Sequence, residues 1–342
     1  MKLNKLLLLT LSIGLTFTSC SNDDDDAPVL PRGDYENGLL ISHEGNFGGG
    51  NASVSFVSFD LNTVENNIFN AVNGELLGDT AQSIAFNGDF AYIILNVSNK
   101  IEVVNRFTFE SVATIDTGLS NPRYMAVSNG KGYVTNWGDF TPTDDDYLAV
   151  IDLTTHTIID TISTSYLPEE IIAQDDQIFV ATGIFGFGNS VDVINTITDT
   201  LEESITVGNA PNSLQLDAEG DLWVLSSENL IEINTTSNTI VKTVALNSSI
   251  TAPSKLNFDS GNLYLFSEGA VYKMETTATT LPETAEIEGV SFYDMSVSNG
   301  VLYGLDAKDF QSAGTLTTYD LSTNTEVNTA TLRIIPGEVY FN

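Results

Sequence analysis

The chain has 342 residues, 42% of them hydrophobic, and its 46 Asp and Glu against 12 Lys and Arg give a formal net charge of −34. Such an acidic surface repels phosphate, which excludes nucleic acid as a partner and disfavours adhesion to anionic lipid. A single cysteine excludes a disulfide framework, so packing must carry the stability.

Lys2 and Lys5 precede the apolar run Leu6 to Phe17, and Thr18 and Ser19 lead to the cysteine, Cys20. That run is shorter than the about 20 residues needed to span a bilayer as a helix, so residues 1–19 read as an export signal. Thr-Ser-Cys resembles the lipobox of bacterial lipoproteins, in which Cys20 becomes the lipidated first residue. Removing residues 1–19 takes away Lys2 and Lys5 and leaves 10 bases against 46 acids. The acidic run Ser21 to Asp26 repels itself and stays solvated, which makes residues 20–35 a tether. It also resembles the export tag of Bacteroidetes lipoproteins, and that implies an outer-membrane lipid anchor with the protein facing the medium.

From residue 36 onward one phrase recurs: Pro or a substitute, two polar residues, then alternating apolar positions. Copies run Pro122 to Val127, Pro168 to Ala173, Pro211 to Leu216 and Pro253 to Phe258, with looser ones from Ala81 and Phe292. Each leads through a Gly, Asn or Asp turn to a second strand. These strands begin at Leu39, Ala91, Gly132, Ile178, Leu222, Leu263 and Leu302, a spacing of 39 to 52 residues that is typical of propeller blades. Their second residues, Leu40, Tyr92, Tyr133, Phe179, Trp223, Tyr264 and Tyr303, read as inter-blade packing positions. A third strand, usually ending in Asp or Asn, and an outer fourth strand such as Thr157 to Ile162 complete the unit.

The first repeat supplies Leu39 to Ser42, Val54 to Phe59 and a predicted fourth strand Asn67 to Asn70, but no opening strand. The seventh opening phrase, Pro336 to Phe341, stands at the end of the chain. The predicted fold is therefore an all-β, seven-bladed β-propeller over residues 36–342, with four-stranded blades. Its C-terminal strand pairs into the first blade and closes the ring.

Loops between the second and third strands open on one face of a propeller, and here they are unequal. Repeats five and six have minimal loops, whereas Ser42 to Ser53, Thr135 to Tyr147, Thr182 to Ser190 and Leu305 to Thr315 are long. The long loops carry Phe47, Trp137, Phe140, Phe185, Phe187 and Phe310, and the blade connections add Tyr124, Tyr166 and Tyr293. Aromatics on Gly-rich loops predict a rim that grips a large organic ligand. The positions after each opening Pro or its substitute, including Gln82, Arg123, Glu169, Glu170, Asn212, Ser254, Lys255, Asp294 and Glu338, are polar and predict hydrogen-bonding groups or a solvated axial channel. Catalytic signals are weak: His43 stands next to Glu44, which leaves a base role open, but no Ser in a strained elbow, free thiol or second histidine accompanies it, and His156 falls in an outer hairpin turn. Asp144 to Asp146 lack the spacing of a known calcium loop and read as a solvated acidic loop.

The phrase Gly132-Tyr-Val-Thr-Asn followed by Leu148-Ala-Val-Ile-Asp resembles the YncE-like seven-bladed propellers. Three narrower loop phrases are Glu44-Gly-Asn-Phe-Gly, Asn136-Trp-Gly-Asp, and Thr182-Gly-Ile-Phe-Gly-Phe-Gly-Asn. Together with the lipobox and the acidic tag, they resemble the BtuG-type surface lipoproteins of Bacteroidetes. The resemblance implies capture of vitamin B12 (cobalamin) or a related corrinoid for a TonB-dependent outer-membrane transporter of BtuB type. It implies no enzyme activity and no resident cofactor or metal. It carries Glu44, Asn46, Phe47, Asn136, Trp137, Asp139, Phe185 and Phe187 into the ligand site. The rim argument adds Tyr124, Tyr166, Asn212, Tyr293 and Phe310. The alternatives are a calcium-dependent propeller hydrolase resembling a lactonase, with Glu170, Asn212 and Asp294 as ligands, and a surface adhesion module.

Overall fold

The computed structural model describes residues 32–139 and 145–342, so the export signal, Cys20 and most of the tether lie outside the described residues, as do Phe140 and Asp144. Seven antiparallel sheets of four strands form the ring, and in six of them the four strands are consecutive in the chain. Short reversals permit that order. Asn129-Gly130 and Asn299-Gly300 have positive φ at both residues, the backbone of a two-residue hairpin turn that matches strand twist.

The first sheet is the exception in sequence order and the closure of the ring. Its inner strand is Pro336–Phe341, paired antiparallel with Gly38–His43, which in turn pairs with Ser53–Ser58. Tyr340 extends the latch to the second blade, its hydroxyl accepting the Ile84 N–H at 2.8 Å. The Asn342 amide donates to the carbonyls of Tyr35 at 2.5 Å and Arg106 at 3.0 Å. On the other side of the closing strand, Phe341 meets the Tyr303 ring of the seventh blade edge-on at 5.3 Å.

Alternation along each strand buries one side chain row in each gap between blades, and the seven hydrophobic clusters fill those gaps. Tyr92 of the second blade packs with Val134 and Ala149 of the third, and Tyr133 packs with Ile178 and Val180 of the fourth. Phe179 packs with Leu222 and Val224, Trp223 with Leu263 and Leu265, and Tyr264 with Met295 and Leu302. Tyr303 meets Leu39 and Ile41, and Leu40 meets Ile93 and Leu95, which completes the circle. The bulky second-strand position is thus the inter-blade wedge in every blade.

Two expectations are corrected. Where a strand was predicted over Asn67 to Asn70, the chain makes only a two-residue pairing at Val64–Glu65 and then a short helix, Ile68–Asn73. Asn67 adopts a left-handed φ of 60° that breaks the strand, and the helix buries Ile68 and Phe69 in the first cluster. The folded unit also begins before the tether was expected to end. Tyr35 is buried against Phe56 and Phe109, and the Arg32 guanidinium lies 3.6 Å from the Phe107 ring centre. Among the described residues no helix is long and apolar enough to cross a membrane.

Candidate functional site

The inner strands do not run regularly to the axis. Register shifts fall between Ala81 and Ser83, Pro122 and Met125, Pro168 and Ile171, and Ser254 and Asn257, within the opening phrases of the second, third, fourth and sixth blades. A bulge re-aims the residues it contains. Here it turns Gln82, Arg123, Tyr124, Glu169, Glu170 and Lys255 toward one axial cavity of about 510 Å³. Lys255 adopts a φ of 58°, a left-handed backbone that a lysine does not favour and that only the surrounding structure maintains.

These side chains also tie each blade to the next around the axis. Arg123 donates to Gln82 Oε1 of the second blade and forms a bidentate pair with Glu169 of the fourth, at 2.8 and 3.0 Å. Glu170 accepts the Leu214 N–H at 2.8 Å, and Asn212 donates to the Pro253 carbonyl at 2.9 Å. Lys255 faces Asp294 at 3.6 Å, and Tyr293 donates to Glu44 Oε1 at 2.7 Å. With Tyr340 bound to the Ile84 N–H, the belt is complete. Polar residues at a buried axis are thereby satisfied, which is the condition for their being tolerated there. A smaller cavity of about 210 Å³ shares Tyr124, Glu170, Lys255, Asp294 and Glu338 with the first, so these five form the partition beneath the cup.

Aromatic side chains stand above this charged floor. Trp137 is buried with its Nε1 donating to the Pro168 carbonyl at 3.1 Å, and the Arg123 guanidinium lies 4.0 Å from its ring centre. Phe185 meets Trp137 edge-on at 6.3 Å while remaining 67% exposed, and Phe47 is 86% exposed on the opposite loop. The loop bearing Phe185 closes on glycines: a Cβ on Gly183, at φ 138°, would lie 2.1 Å from the Phe187 carbonyl oxygen.

The structure brings together seven of the predicted ligand residues: Glu44, Phe47, Tyr124, Trp137, Phe185, Asn212 and Tyr293 all line the cup. Phe310 braces the rim, edge-on to Tyr293 at 5.5 Å, and Asn46 donates to the Phe310 carbonyl at 3.2 Å. Tyr166 and Phe187 pair with each other at 6.0 Å, outside the cavity lining. Asn136 is corrected from ligand contact to support. It is fully buried, its amide spent on the Ser120 N–H at 3.0 Å and the Val134 carbonyl at 2.9 Å. Asp139 also lies outside the lining, its N–H donating to Asp145 at 2.8 Å. Among the cup-lining residues that the ligand prediction omitted, Gln82, Arg123, Glu169, Glu170, Lys255, Asp294 and Glu338 were visible only as the polar positions after each opening Pro or its substitute.

Electrostatics sets the floor apart. Burial pushes the Glu170 carboxyl up to about 8 and the Glu338 carboxyl up to about 7, the latter helped by the charge of Asp294. For Lys255 desolvation works downward, but Asp294, Glu170 and Glu338 outweigh it and hold the ammonium above its ordinary range. An ammonium therefore already stands among the carboxylates that the lactonase-like alternative would give to calcium. The Asn212 oxygen of that set accepts from Ser213 at 3.1 Å. Among the described residues no cluster of His, Cys, Asp and Glu is arranged to hold a metal ion. His43 is fully buried, bonded to Ser55 at 2.8 Å and pushed down to about 3 by that burial, and His156 caps an outer turn against Tyr92 at 3.1 Å. Neither faces the cup.

The fold is shared widely among solved structures. A quinonprotein alcohol dehydrogenase-like protein from Bacteroides thetaiotaomicron superposes with a TM-score of 0.67 at 15% identity, covering 90% of this chain and 78% of that one. BamB from Moraxella catarrhalis superposes with a TM-score of 0.59 at 12% identity, covering 88% of this chain and 84% of that one. The computationally designed Ika8 protein gives a TM-score of 0.59 at 9% identity, covering 87% of this chain and 88% of that one. At these identities the likeness is one of fold. No curated protein sequence matches. A family model does match over residues 37–308, and the chain belongs to that family, described as a domain of unknown function, DUF5074.

Proposed function

We propose that the protein is a non-enzymatic capture protein whose axial cup takes up a corrinoid, and that it works at the cell surface on a lipid anchor at Cys20. The observation that carries the reading is the construction of the cup: aromatic faces from Phe47, Trp137, Phe185 and Tyr293 above a floor of hydrogen-bonding groups held rigid by the inter-blade belt. A corrin ring fringed with amides needs both kinds of surface, and a preformed site lowers the ordering cost of binding it. At about 510 Å³ the cavity receives one side of such a ligand, and the exposed rings of Phe47 and Phe185 extend the contact above it. Catalysis has less support, because the two histidines are engaged away from the cup.

The lipoprotein and transporter parts of the proposal rest on the sequence motifs at residues 18–26 and on the loop phrases. Delivery to a TonB-dependent transporter of BtuB type is the expected next step for a captured corrinoid. The test is direct: the purified propeller, incubated with cyanocobalamin and passed through gel filtration, is expected to elute as a red complex. Colourless protein would overturn the corrinoid reading.

A further inference from the structure

The cup walls carry five carboxylates, Glu44, Glu169, Glu170, Asp294 and Glu338, against two cations, Arg123 and Lys255. Both cations are committed, Arg123 to Glu169 in bidentate geometry and Lys255 to Asp294. Three carboxylates remain without a salt bridge among the described residues. Glu44 receives only the Tyr293 hydroxyl, Glu170 only the Leu214 N–H, and Glu338 only the Tyr340 hydroxyl. Excess negative charge facing a partly desolvated cavity is costly unless protons or a cation neutralise it. The upward shifts of Glu170 and Glu338 are the proton answer when the cup holds no ligand.

The walls above the carboxylates decide which cation fits. Phe47 and Phe185 present 86% and 67% exposed rings at the mouth, and Tyr293 and Tyr124 add two more aromatic groups to the lining. Aromatic faces attract soft organic cations, whereas a hard metal ion prefers a cage of oxygens. The oxygen-rich place on the floor is already taken by the Lys255 ammonium.

We infer that the cup selects ligands carrying an organic positive charge, an amine or quaternary ammonium group seated between the aromatic wall and Glu44, Glu170 and Glu338. The inference rests on the cup being a binding site, not on the ligand being a corrinoid. For a corrinoid it means that a form with net positive charge is held better than a neutral one.

The test uses choline and its uncharged isostere 3,3-dimethylbutan-1-ol, at millimolar concentrations, with the wild-type chain. Binding is read by saturation transfer from protein to ligand and by chemical-shift changes in labelled phenylalanine rings of the rim. Choline is expected to bind at least about tenfold more tightly, equivalent to about 1.4 kcal/mol. The isosteric variants Glu170→Gln and Glu338→Gln, each checked for an unchanged fold by circular dichroism, are expected to narrow that ratio to about threefold or less. Equal binding, preference for the alcohol, or silence from both probes would overturn the inference. A red corrinoid complex with no choline preference would overturn the charge selection alone, and choline selection without a red complex would overturn only the corrinoid reading.

Discussion

Tyr293 donates its hydroxyl to Glu44 Oε1 at 2.7 Å, although 249 residues separate them in the chain. The bond joins the seventh blade to the first, at the seam where the propeller closes, and both residues line the cup. Ring closure and site construction therefore depend on the same contacts. Replacing Tyr293 with Phe removes the donor and leaves Glu44 without its partner. The expected loss is about 1–2 kcal/mol of unfolding free energy, read from urea denaturation, together with weakened ligand binding.

The C-terminal strand is expected to be indispensable. It supplies the inner strand of the first blade, bonds the second blade through Tyr340 and meets the seventh through Phe341. Deleting residues 336–342 should abolish the cooperative thermal transition or lower the melting temperature by tens of degrees. The single change Tyr340→Phe should cost about 1–3 kcal/mol, because the buried Ile84 N–H loses its acceptor. An unchanged melting temperature after the deletion would remove the closure argument.

Trp223 tests the inter-blade wedge. It is fully buried between the fifth and sixth blades, with Nε1 donating to Asp217 at 2.9 Å. Trp223→Ala is expected to destabilise the fold by about 3–5 kcal/mol, measured by chemical denaturation. A similar change at exposed Phe47 should leave stability within about 0.5 kcal/mol of wild type while reducing ligand binding.

The floor predicts a characteristic pH profile. Folded Glu170, shifted to about 8, and folded Glu338, shifted to about 7, hold protons that an unfolded glutamate releases near 4.5. The folded state then binds more protons, so stability falls as pH rises from about 4.5 to about 8. His43 acts in the opposite sense, because its folded value of about 3 lies below the ordinary 6.5 and stability falls as pH drops between the two. Thermal scans should show a maximum at roughly pH 4–5, where the histidine and glutamate slopes cancel. Glu170→Gln should flatten the alkaline side of that curve and leave the acidic side unchanged.

The repeat was legible because each blade repeats the same physical problem: a polar bend at the axis, an apolar wedge, and an Asx turn. The strand predicted at Asn67 to Asn70 failed because Ile68 and Phe69 are apolar for burial on a helix face, a demand set by the neighbouring cluster and absent from local alternation. At the site, aromatics on Gly-rich loops were good guides to the rim, as Phe47 and Phe185 demonstrate. Adjacency in a motif was a poorer guide. Asn136 neighbours Trp137 in sequence, yet its amide is buried behind the cup and braces the backbone. The charged floor was legible as polar positions at the axial channel, but its geometry was not, because a bulge turns consecutive residues such as Glu169 and Glu170 toward the axis, where regular alternation would send one of them away.

Amide hydrogen exchange of the full propeller with and without cyanocobalamin tests the central claim most directly, because it reads where the ligand sits. The account predicts slowed exchange in the loops around Glu44 to Asn51, Gly183 to Asn189 and Asp306 to Ser312, with no change at the opposite-face turns of Asn129 and Asn299. Protection confined to those opposite turns, or no protection anywhere, would contradict a ligand-binding cup on this face of the ring.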